Sequence, residues 1–197
     1  MLRFTSVFVL FFLICSCGTS TETTNGFTVS IAGSKVTGSG LQDTRVGVYP
    51  VEYNPIDSVK SKVDTVTVIG GDLNLSGFQP GYYNILIQKI SNDYGHCIEN
   101  VSIGLGDSQS YSDTLKPTGC VFGKMATTTH VDTIPTIAIL EGTPFLDTIR
   151  ASQFVMNNIP AGSYELTFRK AIHDSSMSGS QPQIVQINSG MQTKWTQ

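Results

Sequence analysis

NIPAGSYELTFRK (158–170) repeats, with small changes, a phrase met about eighty residues earlier as GFQPGYYNILIQK (77–89). Each copy is a turn, a glycine, a tyrosine two residues on, and an alternating run. Successive strand residues point to opposite faces. Tyr164, Leu166 and Phe168 therefore share one face, and Ser163, Glu165, Thr167 and Arg169 the other, which reads as wet. In the earlier copy Tyr83, Ile85 and Ile87 take the inward places, while Tyr82, Asn84 and Gln88 face out. Leu86 breaks the alternation and is expected to face a partner surface. Gly81 and Gly162 are expected to supply a positive φ, and Pro80 and Pro160 stiffen the entry. A tyrosine that enters a core needs a partner for its hydroxyl. A backbone group just upstream is the natural acceptor, as in a tyrosine corner, so Tyr83 and Tyr164 each close one β-sandwich. Two phrases predict two sandwiches; a single larger sandwich with a chance echo is the alternative.

The rest of the chain has no sustained 3.6-residue period. Strand patterns fall on 27–31, 45–53, 63–69, 73–75 and 96–103, and then on 121–125, 134–140, 145–149, 153–156, 184–187 and around Trp195. Short strands at this spacing, with Gly, Pro, Asn and Asp between them, argue for sandwiches. Residues 112–119 read as a linker, because Pro117 and Gly119 punctuate two periodic regions. The expected fold is all-β, with two tandem Greek-key sandwiches over 27–116 and 117–197, preceded by a signal segment (1–16) and a polar tether (17–26).

The ends support export. Arg3 is followed by an apolar run that ends at Ile14, too short for the roughly 20 residues of a membrane span but suited to a signal-peptide core. Ile14-Cys15-Ser16-Cys17 resembles the lipobox of bacterial lipoproteins. That resemblance implies cleavage before Cys17, acylation of Cys17, and a membrane partner engaged through the acyl chains; an ordinary signal peptide is the alternative. Gly18 after the cysteine resembles outer-membrane-directed lipoproteins, so the expected location is the outer membrane, lipid-anchored. The formal net charge is −3 and no basic patch is visible, so nucleic acid is not an expected partner. Cys97 and Cys120 remain after the signal region. They are expected to pair as a disulfide, which an exported protein can form, or to stay as two buried thiols.

The doubled phrase resembles the penultimate signature of carboxypeptidase-regulatory-like, prealbumin-like domains. In that family a G-x-V strand leads to a V-x-V strand, a short strand, and then a P-x-G-x-Y strand. Lys35-Val36 and Gly123-Lys124-Met125 stand at the opening, and Val46-Gly47-Val48 and Ile137-Ala138-Ile139 at the second strand. Typical members carry an Asp-x-x-Gly-x-Phe turn, which Gly70-Gly71-Asp72-Leu73 and Ala151-Ser152-Gln153-Phe154 replace here. The stretch 48–56 is also similar to tandem β-sandwich lipoproteins of fibre-degrading Gram-negative bacteria. The resemblance specifies a fold and leaves the function open.

Chemistry is sparse. His130 and Asp132 would share a strand face, but zinc takes three or four ligands. His173-Asp174 lies in a Ser- and Gly-rich loop. His96 and Cys97 are strand neighbours and so point apart. Asp107 and Asp113 fall short of the six or more oxygens that calcium takes. Lys35 and Lys124 lack a matched Asn and Glu for an isopeptide link. No catalytic residue, metal or cofactor is expected. Tyr49, Tyr53, Tyr82 and Trp195 are the candidates for stacking on a sugar ring. The expectation is a non-catalytic envelope interaction or scaffold protein with a protein or polysaccharide partner. A polysaccharide-binding surface protein is the second reading, and an envelope enzyme the third.

Overall fold

The computed structural model of the 197-residue chain describes residues 26–32, 35–56, 65–66, 72–74, 78–104, 108–125, 135–170 and 181–196. The expectations for the signal segment, Cys17, Asp107, His130, Asp132, His173 and Asp174 lie outside the described residues. Among the described residues the secondary structure is all β. The N-terminal half contains β1 (Gly26–Ala32), β2 (Lys35–Ser39), β3 (Thr44–Pro50), β4 (Thr65–Val66), β5 (Asp72–Asn74), β6 (Gly81–Lys89), β7 (Tyr94–Ile103), β8 (Ser108–Thr114) and β9 (Lys116–Pro117). The C-terminal half contains β10 (Gly119–Lys124), β11 (Thr136–Leu140), β12 (Leu146–Thr148), β13 (Gln153–Ile159), β14 (Gly162–Lys170), β15 (Gln183–Ile187) and β16 (Gln192–Thr196).

These strands form four sheets, in the orders β5-β2-β1-β8, β4-β3-β6-β7-β9, β13-β10-β16 and β12-β11-β14-β15. All pairings are antiparallel except β10 with β16. The two halves follow one plan. Strands β4-β3-β6-β7 correspond to β12-β11-β14-β15, with the same register: Val46 faces Ile87 and Val48 faces Ile85, as Ala138 faces Phe168 and Leu140 faces Leu166. Likewise β5-β2 and β8 correspond to β13-β10 and β16. The N-terminal half inserts β1 between β2 and β8, antiparallel to both. Without that insertion β2 would lie beside β8 in parallel, as β10 lies beside β16.

Each half keeps its own core. Val29 and Ile31 of β1 pack with Val46, Val48, Ile85, Ile87, Val101 and Ile103 from the second sheet. Val121, Phe154 and Trp195 of the three-stranded sheet pack with Leu140, Leu166, Phe168 and Ile187 from its counterpart. Burying a side chain of this size contributes about 1.5–3 kcal/mol. Gly123 is required on the inner face, because a Cβ there would lie 2.6 Å from the Phe154 ring and 2.7 Å from Trp195.

Two expectations are corrected here. Residues 112–119 are not a linker: β8 runs to Thr114, Leu115 is buried in the first core, and β9 pairs with β7. The polarity of this strand has a simple cause. Tyr111 packs against the core, while Ser110 and Ser112 lie on the opposite face and hydrogen-bond Ser30 and Thr28 across to β1. Gly81 and Gly162 are likewise absent from the positive-φ residues. Their role is room. A Cβ on Gly162 would sit 3.3 Å from the Tyr164 ring, and one on Gly81 would sit 3.5 Å from Tyr83. The tyrosine two residues on lies back over the glycine. Gly47 and Tyr49 repeat the arrangement more tightly, at 2.5 Å.

Candidate functional site: a buried seam and an open groove

Both tyrosine hydroxyls donate to a carbonyl four residues upstream. Tyr83 reaches Gln79 O at 2.6 Å and Tyr164 reaches Pro160 O at 2.9 Å. Each bond ties the entry turn to the strand that follows. Phe78 adds an edge-on ring contact to Tyr83, with centroids 5.4 Å apart. Burial pushes both phenols up, with Glu52 adding to the shift of Tyr83 and Cys97 and Glu99 to that of Tyr164.

The outer face of β3, β6 and β7 is covered at its centre, although Arg45, Tyr82 and Glu99 on it are exposed. Tyr49, Tyr53 and Leu86 are buried together, with Cys97 and, from the C-terminal half, Phe145 packed against them. Polar contacts line the same junction. Asn84 Nδ2 donates to Gly142 O at 3.0 Å, Gly142 N to Tyr53 O at 3.1 Å, and Gln88 Nε2 to Asn158 O at 2.7 Å. Gly142 sits at φ +69°, and a Cβ there would lie 2.6 Å from Asn84 Nδ2 and 2.9 Å from Val51 O. Gly95 faces Pro160, whose Cγ is 3.0 Å from the position a Cβ would take. The turn that opens the second copy of the phrase is thus seated against the strand of the first. Asn84 and Gln88 face outward as expected, but onto this junction, where both are half-buried, and the junction supplies the surface that Leu86 faces.

The expected disulfide is not formed; Cys97 and Cys120 are both free. Cys97 points into the seam beside Tyr49 and Tyr53, whereas Cys120 lies on β10 opposite Gln192. Burial, then Glu99, pushes the Cys97 thiol up to about 12. Burial, then Tyr53 and Cys97, pushes Tyr49 up to about 12 as well. Both groups are protonated at neutral pH, and a thiol held in that form is inert as a nucleophile.

Of the four sugar-stacking candidates only Tyr82 is on the surface, at 57% exposure. Tyr49 and Tyr53 belong to the seam. Trp195 is packed between Phe154 and Phe168, and its Nε1 donates to Gln183 Oε1 at 2.8 Å. Tyr49 and Tyr53 thus fill the seam, and Trp195 fills the second core. An open groove of about 530 Å³ lies instead along the three-stranded sheet. Its outer face is set by register: Phe122 faces Val155 and Lys194, and Lys124 faces Gln153 and Thr196. Two lysines flank an apolar strip there. The sequence does not mark this strip, because each of its residues alternates with a buried one.

The polar clusters are few. His96 Nδ1 lies 3.6 Å from Asp113 Oδ2, on the face opposite Cys97. Burial lowers the imidazole, Asp113 works against that, and Lys116 reinforces it. The backbone N–H of Thr114 holds the Asp113 carboxyl below its usual range. On the C-terminal half, Glu141 accepts from Arg169 Nη2 at 2.7 Å and from the Thr167 hydroxyl. Thr167, expected to be wet, is 2% exposed beneath that pair. Among the described residues no group of three or more potential metal ligands is found, and no helix is long and apolar enough to cross a membrane. No protein-family model matches the chain, and no curated protein is detectably similar to it in sequence.

Proposed function

We propose that this chain is a non-catalytic interaction or scaffold protein of the cell envelope, held to the outer membrane by an acylated Cys17 and built of two tandem prealbumin-like Greek-key β-sandwich domains. The observation that carries the reading is the shared strand order of the two halves, each around its own core, joined through the seam at Leu86 and Phe145. Two modules docked in this way make a stiff body that holds a surface at a set distance from its anchor. The lipobox-like run and the polar stretch after it support the anchor. A Cys17→Ala form is expected to leave the membrane fraction; continued fractionation with membranes would overturn the anchoring.

Polysaccharide binding is the second reading, and the groove along β13-β10-β16 favours it. Its apolar strip between Lys124 and Lys194 suits an acidic chain better than a neutral one. Retention on an acidic but not a neutral insoluble glycan, lost in Lys124→Glu/Lys194→Glu, is the expected result. Equal behaviour on both glycans would remove it.

A further inference from the structure

Eight of the ten aspartates are followed directly by Ser or Thr. Those two residues make up 43 of 197 positions, so chance would place about two there. Glutamate shows no such bias: one of five, Glu22, precedes a hydroxyl residue. Five of the eight continue with a branched aliphatic residue, as DSV (57–59), DTV (64–66), DTL (113–115), DTI (132–134) and DTI (147–149).

Among the described residues, Asp113 and Asp147 share no hydrogen-bonding pattern that would account for this bias. Asp113 Oδ1 accepts from the next backbone N–H, at 2.7 Å, whereas Asp147 Oδ2 accepts from Val155 N on another strand, also at 2.7 Å. What the two described copies share is a place at the end of an edge strand, with Thr114 exposed and Thr148 half-exposed. Thr114 ends β8 and Thr148 ends β12, and both strands are sheet edges. In each the aliphatic residue is anchored, Leu115 in the first core and Ile149 against the second. The threonine between acid and anchor continues the opposite face of an extended edge.

We infer that Asp-Ser/Thr-aliphatic is a recognition tripeptide for an enzyme that glycosylates the hydroxyl, with Thr114 and Thr148 as two acceptors. In the transfer, Thr114 Oγ1 attacks the anomeric carbon of an activated glycosyl phosphate. The new C–O bond forms as the bond from the anomeric carbon to the phosphate oxygen breaks. The phosphate leaves with the electron pair, and the hydroxyl proton passes to a base of the transferring enzyme. A sugar suits the position better than a phosphate, because a phosphate would set two further negative charges beside the Asp113 carboxylate. A bulky neutral group on an edge strand would also block pairing with another chain.

The test is mass spectrometry of the whole protein purified from the cells that make it, with fragmentation that keeps substituents on their side chains. Sugar increments are expected on Thr114 and Thr148. In Asp113→Asn and in Asp113→Glu the increment at Thr114 is expected to vanish while Thr148 in the same molecules stays occupied, which shows that the chain was folded and processed. Thr114→Ser is expected to keep it. Bare threonines, a phosphate increment, or undiminished occupancy of Thr114 in either Asp113 variant would overturn the inference.

Discussion

Tyr49, Leu86 and Gln88 in the N-terminal half occupy the same places as Glu141, Thr167 and Arg169 in the C-terminal half, by strand order and register. The backbones there follow one plan, and the chemistry differs. In the first half the face is aromatic and aliphatic, and Phe145 covers it. In the second half the corresponding face carries a carboxylate, a hydroxyl and a guanidinium bonded to one another. Position by position, burial along the two strands is nonetheless almost identical, differing only in that Asn84 of β6 is half-buried where Glu165 of β14 is exposed. An outward position can be closed off by a neighbouring module or by its own ion pair. Only the side chains reveal which, since an apolar residue gains from a cover whereas an ion pair desolvated without compensation loses.

The largest test of this contrast is a matched pair of truncations. Leu86→Ala removes the centre of the seam and is expected to cost about 2–4 kcal/mol in urea unfolding. Thr167→Ala removes one bond to Glu141 and is expected to cost about 1 kcal/mol. Equal costs would mean that the two faces are energetically alike. The glycine–tyrosine pairs give a graded series. The Cβ clearances of 2.5, 3.3 and 3.5 Å order the cost of Gly→Ala as Gly47, then Gly162, then Gly81. At Gly47 the Tyr49 ring must be displaced from the seam, for about 1–3 kcal/mol, and Gly81→Ala should be close to neutral. An inverted order would show that the rings do not lie over their glycines.

The seam also has a pH signature. Cys97 and Tyr49 are raised in the folded state from 9.0 and 10.0 to about 12. Above pH 9 the unfolded chain therefore loses protons that the folded chain retains, and stability falls as pH rises. Their contribution is fully present well below pH 9, and the decline levels off only as the pH passes through the folded values of about 12. Alkaline titration of the urea midpoint should show the decline, and Cys97→Ser should flatten part of it. The smallest effect is at the hairpin Arg150–Gln153, where Ala151 and Ser152 both have positive φ, 48° and 64°. The first half has Gly70-Gly71 at the corresponding place in its sequence. Copying that choice with Ala151→Gly should stabilise the protein by up to about 1 kcal/mol, by relieving the left-handed strain, as a modest rise in melting temperature.

The parts legible in the sequence were those written in alternation. β14 spans Gly162–Lys170 as expected, and Leu86 stood out because an apolar residue in an outward place needs a cover. What stayed hidden depended on contacts distant along the chain. β8 reads as a polar loop because its outer hydroxyls pair with Thr28 and Ser30, some eighty residues away. Tyr49, Tyr53 and Trp195 looked available for a ligand because nothing local distinguishes a ring on a surface from one in a seam or a core. The glycines before the tyrosines suggested backbone freedom. Their real constraint is the ring that folds back over them, and this is visible only once the side chain is placed.

The central claim is that the C-terminal half is complete around its own core and, among the described residues, meets the N-terminal half chiefly at the seam, with Ser189 and Gly190 bonding Pro117 where the chain passes from one half to the other. An amide correlation NMR spectrum of residues 117–197 expressed alone, compared with the same residues in the whole protein, tests it directly. The account predicts a dispersed spectrum in which shifts change chiefly at 141–145 and 158–164, where the seam contacts lie. A collapsed spectrum, or changes spread through the cores of β10, β11 and β14, would contradict it.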